Sequence, residues 1–331
     1  MQILDGAAVD AALDDLALID RLESLFRSGC EMPVRHHHPI REPLGPGSSE
    51  AMLLLMPAWT SAAGRIGVKI VTVFPDNAQR ALPAIFGQYL LLDGQTGTPL
   101  AMLDGTVLTK RRTACASGLA SRHLSHPGSE RLLMIGTGAL APHLVRVHAR
   151  VRPIRHVAVW GRTPAHASAL VARLRSSLPR DLGRQISVDV AEDRAAAVRT
   201  ADIVSCATLS RTPLVEGAWL RPGQHLDLVG AYNPGMRESD DEAARRSSIY
   251  VDTRAGAIRE AGDIVQPLQA GVIGEDSIRG DLHELARGER AGRDPTGGRD
   301  AITLFKSVGA ALEDLAAAML VVERIGGTHV A

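Results

Sequence analysis

Arg131-Leu-Leu-Met-Ile-Gly-Thr-Gly-Ala-Leu-Ala141 is the stretch whose reading decides the fold. Leu132, Leu133, Met134 and Ile135 form a short apolar run of the kind that is buried on both faces of a parallel sheet. The chain then turns through Gly136, Thr137, Gly138, Ala139 and Leu140 and enters a helix at Ala141. The first glycine permits a tight turn, the second lets a pyrophosphate reach the backbone, and the small Ala141 lets helix and strand pack closely. The helix start offers free N–H groups and the positive end of its dipole to the phosphates. A GxGxxA taken alone is weak evidence. Here a strand precedes it, a helix follows, and a second strand stands at the right distance, so the reading is a dinucleotide-binding βαβ unit and not a structural turn.

That second strand, His156 to Trp160, runs into Gly161-Arg162-Thr163. An NAD enzyme places an acid about 20 residues beyond the glycines to bind the ribose 2′-hydroxyl. No acid is there. Arg162 and Thr163 put a cation and a hydroxyl where a 2′-phosphate would sit, which favours NADPH and leaves NADH possible. The competing reading of Arg162 is a solvated arginine in an Arg-rich chain.

From Leu119 onward strand and helix alternate: helix 140–150, strand 156–160, helix 164–176, strand 186–190, helix 193–199, then strands 202–206, 225–229 and 249–252. This predicts a mostly parallel, doubly wound sheet, and an α/β fold class. Upstream the pattern is α+β. One helix is expected over Val9 to Phe26 with Asp10 as its cap, then strands at 51–56, 67–74, 88–92 and 101–103 joined as hairpins, and a helix over Ala114 to Leu124. Pro43 to Ser49 and Ala286 to Arg299 read as loops, and Ala301 to Val322 as a closing helix.

Composition bounds the function. At 331 residues the chain has room for two domains. Lys plus Arg and Asp plus Glu are each 37, with no long run of one sign, which excludes a sequence-independent nucleic-acid binder. The 45% apolar and 22% charged fractions are those of a globular protein, and no apolar stretch reaches the length of a membrane helix. The start, MQILDGAAVDAALDD, carries acids in place of a signal peptide's basic region, and Cys30, Cys115 and Cys206 lie far apart, so a reducing cytoplasm is the expected location. Only three lysines occur, Lys69, Lys110 and Lys306, and they mark positions where the branched guanidinium was not acceptable.

Lys69 is the one charge inside the strand GVKIVTVF. A cation there is costly unless it meets an anion, and both an acid of the protein and an external ligand would serve. Arg35 precedes a His-rich strand, and Lys110-Arg111-Arg112-Thr113 precedes the helix at Ala114. His36, His37 and His38 alternate faces, so at most two point together, and no metal is expected. Cys115 and Cys206 read as small core residues. The chain has no GxSxG, HExxH or GxxxxGK[ST].

The sequence resembles the ornithine cyclodeaminase/mu-crystallin family over essentially its whole length. The resemblance rests on Gly67 to Val71, Leu108 to Ala120, Ile135 to Ala141, Val157 to Arg162, Val229 to Glu238, and Ile302 to Gly309 with Ala311 to Ala317. It implies a Rossmann-type domain, 119–304, and a discontinuous α+β substrate-binding and dimerisation domain, 1–118 with 305–331, the substrate lying between them. It also implies that Arg35, Lys69 and Arg112 hold a substrate carboxylate, with Lys69 the catalytic group, and that the protein is a homodimer. The cyclodeaminases carry an Asp where this chain has Tyr232, so the base for ammonia loss is missing and Tyr232 becomes a substrate-side residue. Members without that Asp include reductases of cyclic ketimines, alanine dehydrogenase-like enzymes and hormone-binding mu-crystallins. The expected activity is therefore NADPH-dependent reduction of Δ1-pyrroline-2-carboxylate or Δ1-piperideine-2-carboxylate to L-proline or L-pipecolate. An NAD-recycling cyclodeaminase, an alanine dehydrogenase-like enzyme and a non-catalytic NADPH-dependent binder are the alternatives.

Overall fold

The computed structural model describes residues 1–40, 51–60, 64–293 and 300–326. The predicted loop Pro43 to Ser49 lies outside the described residues, as does the 294–299 part of the second loop. The chain divides into two compact units, Met1–Arg112 with Ala311–Ala331, and Thr113–Ala310. The boundaries read from sequence, 118/119 and 304/305, fall inside secondary structure. The first lies within a single helix over Gly105–Leu124, and the second cuts a strand over Ile302–Lys306.

In the first unit six strands make one sheet: β1 (Gln2–Leu4), β2 (His36–Ile40), β3 (Ala51–Trp59), β4 (Arg65–Val73), β5 (Ile85–Asp93) and β6 (Pro99–Asp104), in the order β1-β6-β5-β4-β3-β2. Neighbours are antiparallel except β1 with β6. Alternation along β4 and β5 sets two faces. Lys69 stands opposite Met56 and Tyr89, while Ile70 stands opposite Leu55 and Gln88. Met56, Lys69 and Tyr89 are buried, and the helix Ala311–Arg324 packs on β3, β4 and β5.

The single helix expected over Val9 to Phe26 is two helices, α1 (Gly6–Ala12) and α2 (Asp15–Ser28). Asp10 is not the cap. Asp5 caps α1 by accepting from Ala8 N–H at 2.9 Å, and Asp14 caps α2 by accepting from Ala17 N–H at 3.0 Å. Leu13, extended and buried, links the two, so the apolar rhythm continues across a break that only the aspartates announce. The third helix, α3, is Gly105–Leu124 and starts earlier than expected.

The second unit is an eight-stranded parallel sheet. Its strands are β7 (Arg131–Ile135), β8 (His156–Trp160), β9 (Ser187–Val190), β10 (Ile203–Cys206), β11 (His225–Leu228), β12 (Ser247–Val251), β13 (Ile278–Asp281) and β14 (Ile302–Lys306), ordered β13-β12-β14-β11-β10-β7-β8-β9. Strands run outward from β7 through β8 to β9 on one side and from β10 to β11 on the other, with β14 inserted before β12 and β13, so the order reverses between β7 and β10. The helices after β7 and β8 are α4 (Ala141–Val151) and α5 (Pro164–Leu182). Leu133, Ile135, Val204, Leu226, Leu228, Ile249 and Leu304 share one apolar core.

Ala301 to Val322 is not one helix. Ile302 to Lys306 is β14, buried at every position between β11 and β12, and the helix begins only at Ala311. A continuous apolar run fits a strand buried on both faces as well as a buried helix, and Gly309, at φ +84°, separates the two elements.

Candidate active site

Two of the three lysines are fully buried, and each meets a carboxylate. Lys69 Nζ lies 2.7 Å from Asp314 Oδ2, and Lys306 Nζ lies 3.3 Å from Asp263 Oδ2. The orphan cation of the sequence therefore has an internal partner. Asp314 and its neighbour Glu313 sit in the first turn of the helix Ala311–Arg324, where the dipole favours negative charge. Arg112, on α3, joins them with Nε 3.0 Å from Asp314 Oδ1 and Nη1 2.6 Å from Glu313 Oε2. Its neighbour Arg111 points elsewhere, to Asp10 at 2.8 Å and Asp15 at 3.0 Å. Successive helix residues lie about 100° apart, which separates two arginines that the sequence alone leaves equivalent.

Lys69 is pushed down to about 8, chiefly by burial and then by Arg112, with Asp314 opposing and Arg35 adding a further downward push. Arg35, on the segment leading into β2, thus acts on the same locus. For Arg112 burial opposes the charge, yet Asp314 and Glu313 raise its pKa above the ordinary value. The result is a buried ammonium that can give up a proton near neutral pH beside a guanidinium that stays charged.

Sequence reasoning missed Asp314, Glu313 and Tyr89. The acids carried a signal, for they are the only charges in the apolar run Ala310 to Val322. Tyr89 is 1% exposed, and its hydroxyl has no hydrogen-bond partner among the described residues. Burial and the nearby Asp314 and Cys30 hold its pKa well above the ordinary value.

In the second unit Gly136, Thr137, Gly138, Arg162 and Thr163 line one cavity of about 430 Å³, together with Trp160, His166 and Thr208. It lies outside the carboxyl ends of β7, β8 and β10, where the strand order reverses and where doubly wound sheets take their ligands. Gly136 has φ +116°, and a Cβ there would stand 2.6 Å from Ala207 O, so this turn admits only glycine. Over Gly138 no atom lies within 4 Å of a Cβ position, leaving the backbone open to a ligand. Ala139 and Leu140 lead into α4. Leu140 caps that helix without a side-chain hydrogen bond, and Ala141 is fully buried. This opening and uncapped helix start fit a dinucleotide pyrophosphate.

Arg162 is exposed, with no hydrogen bond or ion pair among the described residues. Thr163 caps α5 without using its hydroxyl. Arg194 lies over Trp160 at 4.6 Å and Trp219 at 5.4 Å, bracing that wall by cation–π contact. Tyr232, 45% exposed, follows β11 in this same unit. The structure thus gathers Lys69 and Arg112 around Asp314 in the first unit and the glycine turn with Arg162 and Thr163 in the second. His36 and His38 do face together, ring centroids 6.0 Å apart, and no third ligand joins them among the described residues.

Sheet order, glycine turn and open helix start define a Rossmann-type protein that carries a separate α+β unit. The chain belongs to the ornithine cyclodeaminase/mu-crystallin family, which it matches over residues 6–329. It is 37% identical to a Δ1-pyrroline-2-carboxylate reductase of Colwellia psychrerythraea over 98% of this chain and 99% of that one. Among solved structures it is similar to the Δ1-pyrroline-2-carboxylate reductase of Thermococcus litoralis in complex with NADH and L-proline. There the TM-score is 0.88 and identity 31%, covering 98% of this chain and 97% of that chain. An archaeal alanine dehydrogenase dimer with bound NAD superposes at TM-score 0.86 with 29% identity, over 98% of this chain and 95% of that one.

Proposed function

We propose that the protein is an NADPH-dependent reductase of a small cyclic imino acid, Δ1-pyrroline-2-carboxylate or Δ1-piperideine-2-carboxylate, yielding L-proline or L-pipecolate. The observation that carries this reading is Lys69, a buried ammonium brought to about 8 beside Arg112 and Arg35. Three cations set against the two carboxylates Asp314 and Glu313 leave a net positive locus that suits an anionic substrate, and one of the cations titrates where a proton donor to nitrogen must. Arg35 and Arg112 hold the carboxylate. Lys69 Nζ, held by Asp314, gives the imine nitrogen its proton as C2 is reduced. When bound, the nicotinamide supplies the hydride. Gly136, Thr137, Gly138, Ala139 and Leu140 seat the pyrophosphate, and Arg162 with Thr163 takes the 2′-phosphate. Similarity to the two Δ1-pyrroline-2-carboxylate reductases supports the substrate class.

The test is consumption of NADPH with each cyclic imine, run beside L-ornithine with NAD⁺ and pyruvate with ammonia. Turnover is expected with an imine. No ammonia is expected from L-ornithine, because Tyr232 offers no carboxylate to take a proton there. Ammonia release at a rate comparable to imine reduction would show that another residue is the base. Cofactor binding with no turnover of any substrate would make the protein a binder.

We further propose a homodimer. On the sheet face away from the closing helix, Ile70 and Phe86 are 39% and 47% exposed, with Leu55, Val68 and Leu90 half-buried beside them. Such an apolar face is the usual ground of association. Light scattering should give twice the chain mass, and Ile70→Asp should reduce it to one; a monomeric native protein would contradict the assignment.

A further inference from the structure

Glu238 is fully buried and faces three donors. Its Oε1 accepts from Thr208 N–H at 2.7 Å and Thr208 Oγ1 at 2.8 Å, and its Oε2 accepts from Gly230 N–H at 2.8 Å. Thr208 follows β10 and lines the cavity that Gly136 and Gly138 open onto. Gly230 follows β11 and leads to Tyr232, and a Cβ at Gly230 would stand 1.9 Å from Thr208 O, so the two loops touch backbone to backbone. We propose that Glu238 is a positioning residue that clamps these two loops at the dinucleotide cavity, and that the charge on its carboxylate sets the affinity for the cofactor. The inference rests on the reading of that cavity as the nicotinamide dinucleotide site.

The three groups hydrogen-bonded to the carboxylate all donate to it, so the ionised form satisfies them as they stand, whereas protonation turns one carboxyl oxygen into a donor and weakens the set. The charged groups facing Glu238 are Lys306 on β14 and Asp263 on the helix Gly262–Gln269, and the Cys206 thiol on β10 lies near. Asp263 Oδ1 also accepts from Glu238 N–H at 2.8 Å and Ser239 N–H at 2.9 Å, fixing the backbone that carries the clamp. Burial pushes Glu238 up to about 7; Lys306 opposes that push, Asp263 adds to it, and Thr208 and Gly230 oppose it. The clamp is therefore closed above about pH 7 and loosens below it.

The experiment is a fluorescence titration of NADPH binding between pH 6 and 8.5, on the native protein, Glu238→Gln and Thr208→Val. Gln keeps the shape but presents an NH₂ to a donor, so affinity at pH 8 should fall roughly tenfold or more. Native affinity should drop about five- to tenfold between pH 8 and pH 6 beyond the change seen in Glu238→Gln, which carries the background from the 2′-phosphate titrating near pH 6. Thr208→Val removes one donor to the charged form, so the native midpoint should move up by about half a unit or more. Thr208→Val keeps the question open to measurement should Glu238→Gln not fold. Affinities and pH profiles that match the native ones in either variant would overturn the clamp while leaving the cofactor site standing. A native protein that binds neither NADPH nor NADH would overturn the site and the clamp with it.

Discussion

Lys69→Ala is expected to lower imine turnover by about 10²- to 10⁴-fold, the range a positioned proton donor supplies. NADPH affinity should stay nearly native, because Lys69 belongs to the unit Met1–Arg112 with Ala311–Ala331, whereas Gly136, Gly138 and Arg162 belong to Thr113–Ala310. The fold should survive, since Asp314 keeps Arg112 at 3.0 Å. The pH profile carries the sign. A donor must be protonated to act, so native turnover should fall as pH rises through about 8, the pKa to which burial and Arg112 bring Lys69. In Lys69→Ala that limb should vanish. An equal loss of NADPH affinity, or an unchanged alkaline limb, would remove Lys69 from the chemistry.

Arg162→Ala should weaken NADPH by roughly 10- to 100-fold and NADH very little, since a charge-assisted bond to the phosphate contributes about 1.5–3 kcal/mol and only NADPH has that phosphate. Arg162 has no hydrogen bond or ion pair among the described residues, so its replacement breaks none there. The ratio of the two dissociation constants in native and variant protein measures this directly. Similar losses for both cofactors would mean that Arg162 contacts something the two share, or nothing.

The dinucleotide half of the site was legible because its grammar is local. Strand, glycine turn and helix start follow one another between Arg131 and Ala141, and β7 and β8 end where Gly136 and Gly161 stop them. The carboxylates of the other half were not legible as partners. Asp314 meets Lys69 only after the closing helix packs on β4, and no spacing rule links positions so far apart in the chain. The same holds for Glu238, whose bonds to Thr208 and Gly230 depend on β10 and β11 lying side by side. Arg111 and Arg112 differ only by a helical rotation, which α3 supplies by starting at Gly105. Ile302 to Lys306 misled for the opposite reason, since its local pattern fits two structures and the sheet decides between them.

The most direct test of the proposed reduction uses NADPH carrying two deuterium atoms at C4 of the nicotinamide, incubated with Δ1-pyrroline-2-carboxylate and the native protein. L-Proline with one deuterium at C2 is expected, with one NADPH consumed per proline formed. Proline without deuterium at C2, or L-ornithine giving proline and ammonia with no net change in cofactor, would contradict it.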